Sequence, residues 1–212
     1  MHRSVFLTLA GWSPLVLLSS KPVADRTLVE NLIKRWKANE AYTMAVWNAM
    51  PDALLEYAPS EQQYTFAQHF MHIGYSNNMY VGILADVETY PNYETLKEAA
   101  FFIPRPDPVN LFQPDFFQQR ETTTIKSMVT DYLRATFDFV CTNLEKLNDG
   151  QLSLGTKKTK PWFLAGHSNL DLVLRGESHT AHHRAQAITY LRMNDIRPPG
   201  YSKLNLLEVP AN

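Results

Sequence analysis

The sequence predicts an all-α protein, a four-helix bundle with long crossover connections, on three observations. Four segments carry apolar residues at three- and four-residue spacing, no segment alternates apolar and polar residues as a half-buried strand would, and the densest prolines fall between the helical segments. The 212 residues suit one domain with extensions, and no internal repeat or low-complexity tract suggests more. With 45% hydrophobic and 19% charged residues, the chain is neither a disordered tail nor a set of membrane spans.

The chain opens on MHRSVFLTLAGWSPLVLLSSKPVA, in which His2 and Arg3 precede an apolar run from Val5 to Leu18 broken by Ser13-Pro14. A membrane span needs about 20 residues, whereas the apolar region of a secretory signal is shorter. Residues 1–24 therefore read as a signal peptide cut after Ser20 or Ala24, although neither position shows a small-x-small pattern. The expectation is an exported protein, periplasmic or extracellular, with its domain over 25–212 and no stable span after processing. The alternative is a cytoplasmic protein whose N-terminal segment docks on the bundle.

The first helix is expected from Thr27 to Met50, where Leu28, Leu32, Trp36, Ala41, Met44 and Trp47 share a stripe and Pro51 ends it. Ser60 with Gln63 three positions on forms a candidate capping box for a second helix reaching Asp86, with Phe66, Phe70, Ile73, Tyr80 and Leu84 on one face. Pro91, Pro104, Pro106, Pro108 and Pro114 exclude a long helix in the next stretch, so a long connection with one short helix near Tyr93–Phe101 is expected. The third helix runs from Thr122 to Leu147 along Ile125, Met128, Val129, Tyr132, Leu133, Phe137, Val140 and Leu144, and stops at a turn over Asn148-Asp149-Gly150. A polar loop from Gln151 to His167 leads to the fourth helix, Asn169 to Asn194, which Pro198-Pro199 prevents from continuing.

Charge and cysteine narrow the function. With 20 Lys+Arg against 21 Asp+Glu the formal net charge is −1, which offers no footprint for nucleic acid or an anionic membrane. Cys141 has no second cysteine for a disulfide or a thiolate metal site, so a bound metal must use His, Asp or Glu. It lies on the apolar stripe of the third helix and reads as inert packing, because burial raises a thiol's pKa.

Of the 7 histidines, five fall in two patches: His69 and His72 on the second helix, then His179, His182 and His183 on the fourth. Positions 179 and 183 are one turn apart, so both imidazoles project from one face and can reach one cation at about 2.0–2.1 Å. Gln186 and Tyr190 lie on that face within roughly 40°, while His182 points roughly 80° away, next to the site or on the surface. Taken alone a His-x-x-x-His pair has many innocent explanations, Gln186 can face solvent, and Tyr190 can be a core aromatic. Periodicity does not choose between His69, nearer the centre of the second helix's apolar stripe, and His72 on its flank.

The run His179-Thr180-Ala181-His182-His183-Arg184-Ala185-Gln186, continued by Tyr190-Leu191-Arg192 and Ile196-Arg197-Pro198-Pro199-Gly200-Tyr201, resembles the fourth-helix signature of the DinB-like superfamily. Phe66-Ala67-Gln68-His69-Phe70-Met71-His72-Ile73 resembles its second-helix motif, whose ligand is the histidine followed by an aliphatic residue. The resemblance spans most of the chain from Leu28 to Tyr201. It implies His72, His179 and His183 as ligands of a divalent transition metal, zinc or nickel. Two positions depart from the pattern: Ala185 stands where the family usually has Gly, adding a methyl at a close packing point, and Asn194-Asp195 replaces a glycine after the last turn, where Asn194 tolerates a left-handed cap.

Three neutral imidazoles leave coordination positions open for water or substrate, as in catalytic rather than structural sites. The resemblance implies metal-dependent hydrolases and thiol-dependent transferases or isomerases. A non-catalytic module that binds a metal or small molecule in a stress response is the alternative, and a purely structural bundle a third. No acidic residue beside the ligands announces a general base: Glu177 is nearest and is expected to face elsewhere. Arg184 reads as a hydrogen-bonded anchor, and Trp36, Trp47 and the pairs Phe101-Phe102 and Phe116-Phe117 as core that could also wall a pocket. The expected partners are a small-molecule substrate and, as an option, a second copy of the chain in a homodimer, with no nucleic acid.

Overall fold

The computed structural model describes residues 26–86, 90–106, 122–155 and 167–201. Residues 1–24, the Lys157–Pro161 part of the polar loop, Pro108, Pro114 and Phe116-Phe117 lie outside them, as does the side chain of Ile125. Among the described residues the chain is helical, with helices α1 (Thr27–Ala49), α2 (Phe66–Ala85), α3 (Tyr93–Leu96), α4 (Thr122–Leu144), α5 (Asp149–Ser153) and α6 (Asn169–Met193). The only extended pairing among them is one isolated bridge, Gly155 to Ser168. None of these helices is long and apolar enough to cross a membrane.

The long helices contact in a ring, α2 against α4 and α6, and α1 against the same two. Helix α2 is the inner member, with every residue from Phe66 to Ile83 buried. A helix buried all round is expected to be apolar all round, yet α2 carries Gln68, His69, His72, Ser76, Asn77 and Asn78. Buried polar groups are retained where partners satisfy them, and here they connect elements. The Asn77 Oδ1 accepts from Thr180 Oγ1 at 2.8 Å, tying α2 to α6. The Asn78 amide donates to the Phe101 carbonyl at 3.1 Å and accepts from Ile103 N at 2.7 Å, clamping the following connection onto α2.

Several boundaries differ from expectation. Ser60 closes only a turn with Gln63, and the capping box of α2 is Thr65 with Gln68, each side chain bonded to the other's backbone N–H at 3.1 and 2.9 Å. Both pairs fit the motif, but only Thr65 stands directly before the buried run, so only there does the cap lead into packing. The short helix covers four residues, Tyr93–Leu96, rather than reaching Phe101. Helix α4 ends at Leu144, and Asn148-Asp149-Gly150 opens a helix: Asn148 forms a capping box with Gln151 and starts α5. The residue with positive φ after α6 is Asp195, at 57°, not Asn194. It lets Ile196 N reach the Leu191 carbonyl at 2.9 Å, and Asp tolerates this conformation because its side chain is short. Ala185 is exposed, so its methyl group meets no close packing point.

The buried stripe of α1 runs through Val29, Leu32, Ile33, Trp36, Asn39, Tyr42, Thr43, Val46 and Trp47, leaving Leu28 and Ala41 exposed. Apolar spacing alone passes over Asn39 and Thr43. They are inside because Arg184 of α6 is buried against them: its guanidinium donates to Thr43 Oγ1 at 2.9 Å and to Asn39 Oδ1, and lies over the Tyr42 ring at 4.6 Å. Arg184 thus anchors α6 to α1, as the sequence suggested.

The α2–α4 seam is closest at Gly74. A Cβ there would stand 2.6 Å from Tyr132 Cε1 and 2.9 Å from Cδ1 of the same buried ring. Gly74→Ala is therefore expected to lower stability, since overpacking of about 1–3 kcal/mol exceeds the roughly 1 kcal/mol gained in helix propensity. Thermal unfolding checks this, and an unchanged or raised midpoint contradicts it.

Candidate metal centre

Helices α2 and α6 meet at a cluster of imidazoles. The spacing of 179 and 183 puts both rings on the face of α6 turned to α2, and the Asn77–Thr180 bond fixes the two helices beside His179. One ring nitrogen from each of His72, His179 and His183 lies within 4.8 Å of the other two. The Nε2 atoms of His72 and His179 are 3.2 Å apart, and the His183 ring centroid is 4.5 Å from each of the other two. Nitrogens sharing one tetrahedral cation at about 2.0–2.1 Å would stand about 3.3–3.4 Å apart. The Nε2–Nε2 separation and the all-imidazole donor set therefore fit a divalent transition metal.

The structure groups His72, not His69, with His179 and His183. His69 is the more buried of the α2 pair, 1% exposed against 7% for His72, yet its nitrogens are engaged behind the cluster, one with the back of His183 and one with Tyr190. Its Nδ1 is 3.0 Å from His183 Nδ1 and its Nε2 is 3.3 Å from Tyr190 Oη. Tyr190 Oη in turn donates to the Tyr64 carbonyl at 3.1 Å. His182 is exposed on the other side of His183, with its Nε2 2.8 Å from the Gln186 amide nitrogen. Among the described residues Tyr190 thus reaches the cluster through His69, and Gln186 pairs with His182.

Sequence reasoning missed Tyr64. It precedes the Thr65 cap, and its ring lies nearly parallel to His183 at 6.1 Å and contacts His69 and His72 at 5.5 and 5.7 Å. Recognising Thr65-x-x-Gln68 as the start of α2 would have placed this tyrosine at the helix mouth. Glu177 is turned away, held bidentately by Arg35 at 2.7 and 3.1 Å, and no carboxylate joins the cluster among the described residues. Trp36 and Trp47 are fully buried core, and Phe102 stacks on Tyr75 at 4.9 Å. Cys141 is buried, and burial pushes its thiol up to about 11, as expected of inert packing.

Burial, reinforced by the positive charge a protonated His72 would add, pushes His69 and His179 down to about 3 and His183 down to about 2, from an ordinary 6.5. All three are neutral at physiological pH, the form in which imidazole ligates metals. In the unfolded chain they take up protons near pH 6.5, so below that value the unfolded state binds more protons than the folded one. The metal-free protein should lose stability as pH falls from about 6.5 toward about 3, with no such cost above about 6.5. Denaturation midpoints measured across this range check the sign, and a flat or rising profile on acidification contradicts it.

A chain whose described residues are helical, with a largely buried three-imidazole cluster at the seam of two helices, is the class that fold and site define. The chain belongs to the DinB superfamily, whose family model matches residues 35–187. It is also similar in fold to the crystal structure of a DinB-like protein from Bacillus cereus. That likeness has a TM-score of 0.56 at 17% identity and covers 81% of this chain and 95% of that one. No curated protein sequence matches the chain.

Proposed function

We propose that the protein holds one divalent transition metal, zinc or nickel, through His72, His179 and His183, and acts as a metal-dependent enzyme on a small molecule, a hydrolase or a thiol-dependent transferase. The observation that carries the reading is the 3.2 Å approach of two Nε2 atoms from different helices, with a third imidazole beside both. When bound, the cation supplies Lewis acidity at positions the three imidazoles leave open.

The protein's own residues shape what can approach. Tyr64 lies over His183 and borders His72. Burial raises its phenol above the ordinary value, so it stays protonated at neutral pH. Tyr80 sets its ring edge to His179 at 6.2 Å on another side. These walls favour a ligand with an apolar part beside a metal-binding group.

Among the described residues no carboxylate joins the cluster to move a proton, which favours a second reading, a non-catalytic module that binds a metal or small molecule. The first test is metal analysis of protein purified without an affinity tag, expected to show about one transition metal per chain as for a single site. Metal-free protein of unchanged fold, unable to take up zinc or nickel, overturns the proposal. Screening the loaded protein on amides, esters and thiol conjugates then separates enzyme from binding module.

A further inference from the structure

Behind the cluster, a run of hydrogen bonds can be given directions by counting protons. The Tyr64 carbonyl can only accept, and Tyr190 Oη lies 3.1 Å from it, so the single phenolic proton points there. If Tyr190 donated to His69 instead, two oxygens would face each other at 3.1 Å with no proton between them. With its proton used, Tyr190 Oη accepts from His69 Nε2 at 3.3 Å, and Nε2 of His69 carries a hydrogen. His69 is 1% exposed, and its two ring nitrogens meet a phenol oxygen and another imidazole nitrogen. Among the described residues no carboxylate meets its nitrogens, and a buried imidazole without one is neutral, so its Nδ1 is bare. His183 Nδ1, 3.0 Å away, must then be the donor. A neutral His183 with its hydrogen on Nδ1 has a bare Nε2.

From this chain of contacts we infer that His69, oriented by Tyr190 and the Tyr64 carbonyl, is a positioning residue. It holds His183 in the tautomer whose Nε2 lone pair is available to a cation before one arrives. The inference rests on the metal-binding reading and adds a residue to it. Partners on the far nitrogen of a ligating histidine set its tautomer and ring orientation and usually are carboxylates or carbonyls. A second histidine serves here because Tyr190 fixes which of its nitrogens is bare. In the opposite arrangement, with hydrogen on His69 Nδ1, His183 would carry its proton on Nε2, which could then accept no metal.

The test uses the full chain with isotope-labelled histidine rings and long-range proton–nitrogen correlation spectra, together with zinc titration. In metal-free wild-type protein, His183 is expected to carry hydrogen on Nδ1 and His69 on Nε2. Tyr190→Phe keeps the ring but removes the oxygen that orders His69, and should mix the tautomers of both histidines. Both Tyr190→Phe and His69→Leu should weaken zinc binding about 10- to 100-fold, the usual cost of losing an outer partner. His69→Asn, whose side-chain oxygen stands near the lost Nδ1, should recover most of that affinity. A packing role alone would leave His69→Asn as weak as His69→Leu. Hydrogen on Nε2 of His183 in the wild type, or wild-type zinc affinity in His69→Leu, overturns the inference while leaving the metal reading intact. Wild-type protein that takes up neither zinc nor nickel overturns both. The wild-type spectrum decides even if a variant does not fold.

Discussion

His183→Ala is expected to abolish metal uptake while the helices stay folded. His183 stands at 4.5 Å between ring centroids from both His72 and His179, and its loss leaves two imidazoles where the cluster had three. Removing a ligand should cost more than the about 10–100-fold lost with an outer partner, taking affinity below what purification retains. The fold should survive because α6 remains joined to α2 through Thr180 and Asn77 and to α1 through Arg184. The neighbouring His182→Ala is the internal control, since that exposed ring gives its Nε2 to Gln186 and meets His183 only as a ring contact at 4.9 Å. Zinc titration with circular dichroism checks both variants. Full uptake by His183→Ala, or equal loss in His182→Ala, contradicts the assignment.

Trp47→Ala should destabilise the protein by about 3–5 kcal/mol, the range for deleting a fully buried large aromatic. Trp47 is 0% exposed and stands where three helices meet. Its ring stacks on Phe66 at 5.8 Å and tilts against Phe70 at 5.0 Å, both on the first turns of α2. Its Nε1 donates to Thr130 Oγ1 of α4 at 2.8 Å. Losing that bond alone is mild, because the Thr130 hydroxyl donates to the Lys126 carbonyl at 2.7 Å and keeps a partner. The cost therefore comes from the cavity and the lost transfer of the indole. Denaturant unfolding should show a lower midpoint with an unchanged slope, and a loss below about 1 kcal/mol would mean that the site collapses around the smaller side chain.

Much of this was legible in the sequence for one reason: apolar residues repeat at helical spacing wherever a helix faces a core. That rule located α1, α4 and α6 and the interior of α2. It fails where a polar residue is buried for a partner far along the chain. Asn39 and Thr43 are inside because of Arg184, more than 140 positions away, and nothing local marks them. Local signals also compete: Ser60 and Thr65 both satisfy a capping rule, and packing decided between them.

The same limit governed the histidines. The i, i+4 spacing placed His179 and His183 on one face, which geometry bears out. On α2, burial pointed to His69 and the family resemblance to His72; the structure puts His72 in the cluster and His69 behind it. Depth in a core measures distance from water, whereas belonging to the cluster depends on where ring nitrogens converge. Only the facing helix determines that.

The proposal depends most on three imidazole nitrogens meeting at one cation. X-ray absorption at the zinc edge of the loaded protein reads that environment directly. Three imidazole shells at about 2.0–2.1 Å with lighter oxygen or nitrogen neighbours completing the coordination are expected. A first shell containing sulfur, or one or no imidazole, would contradict the account.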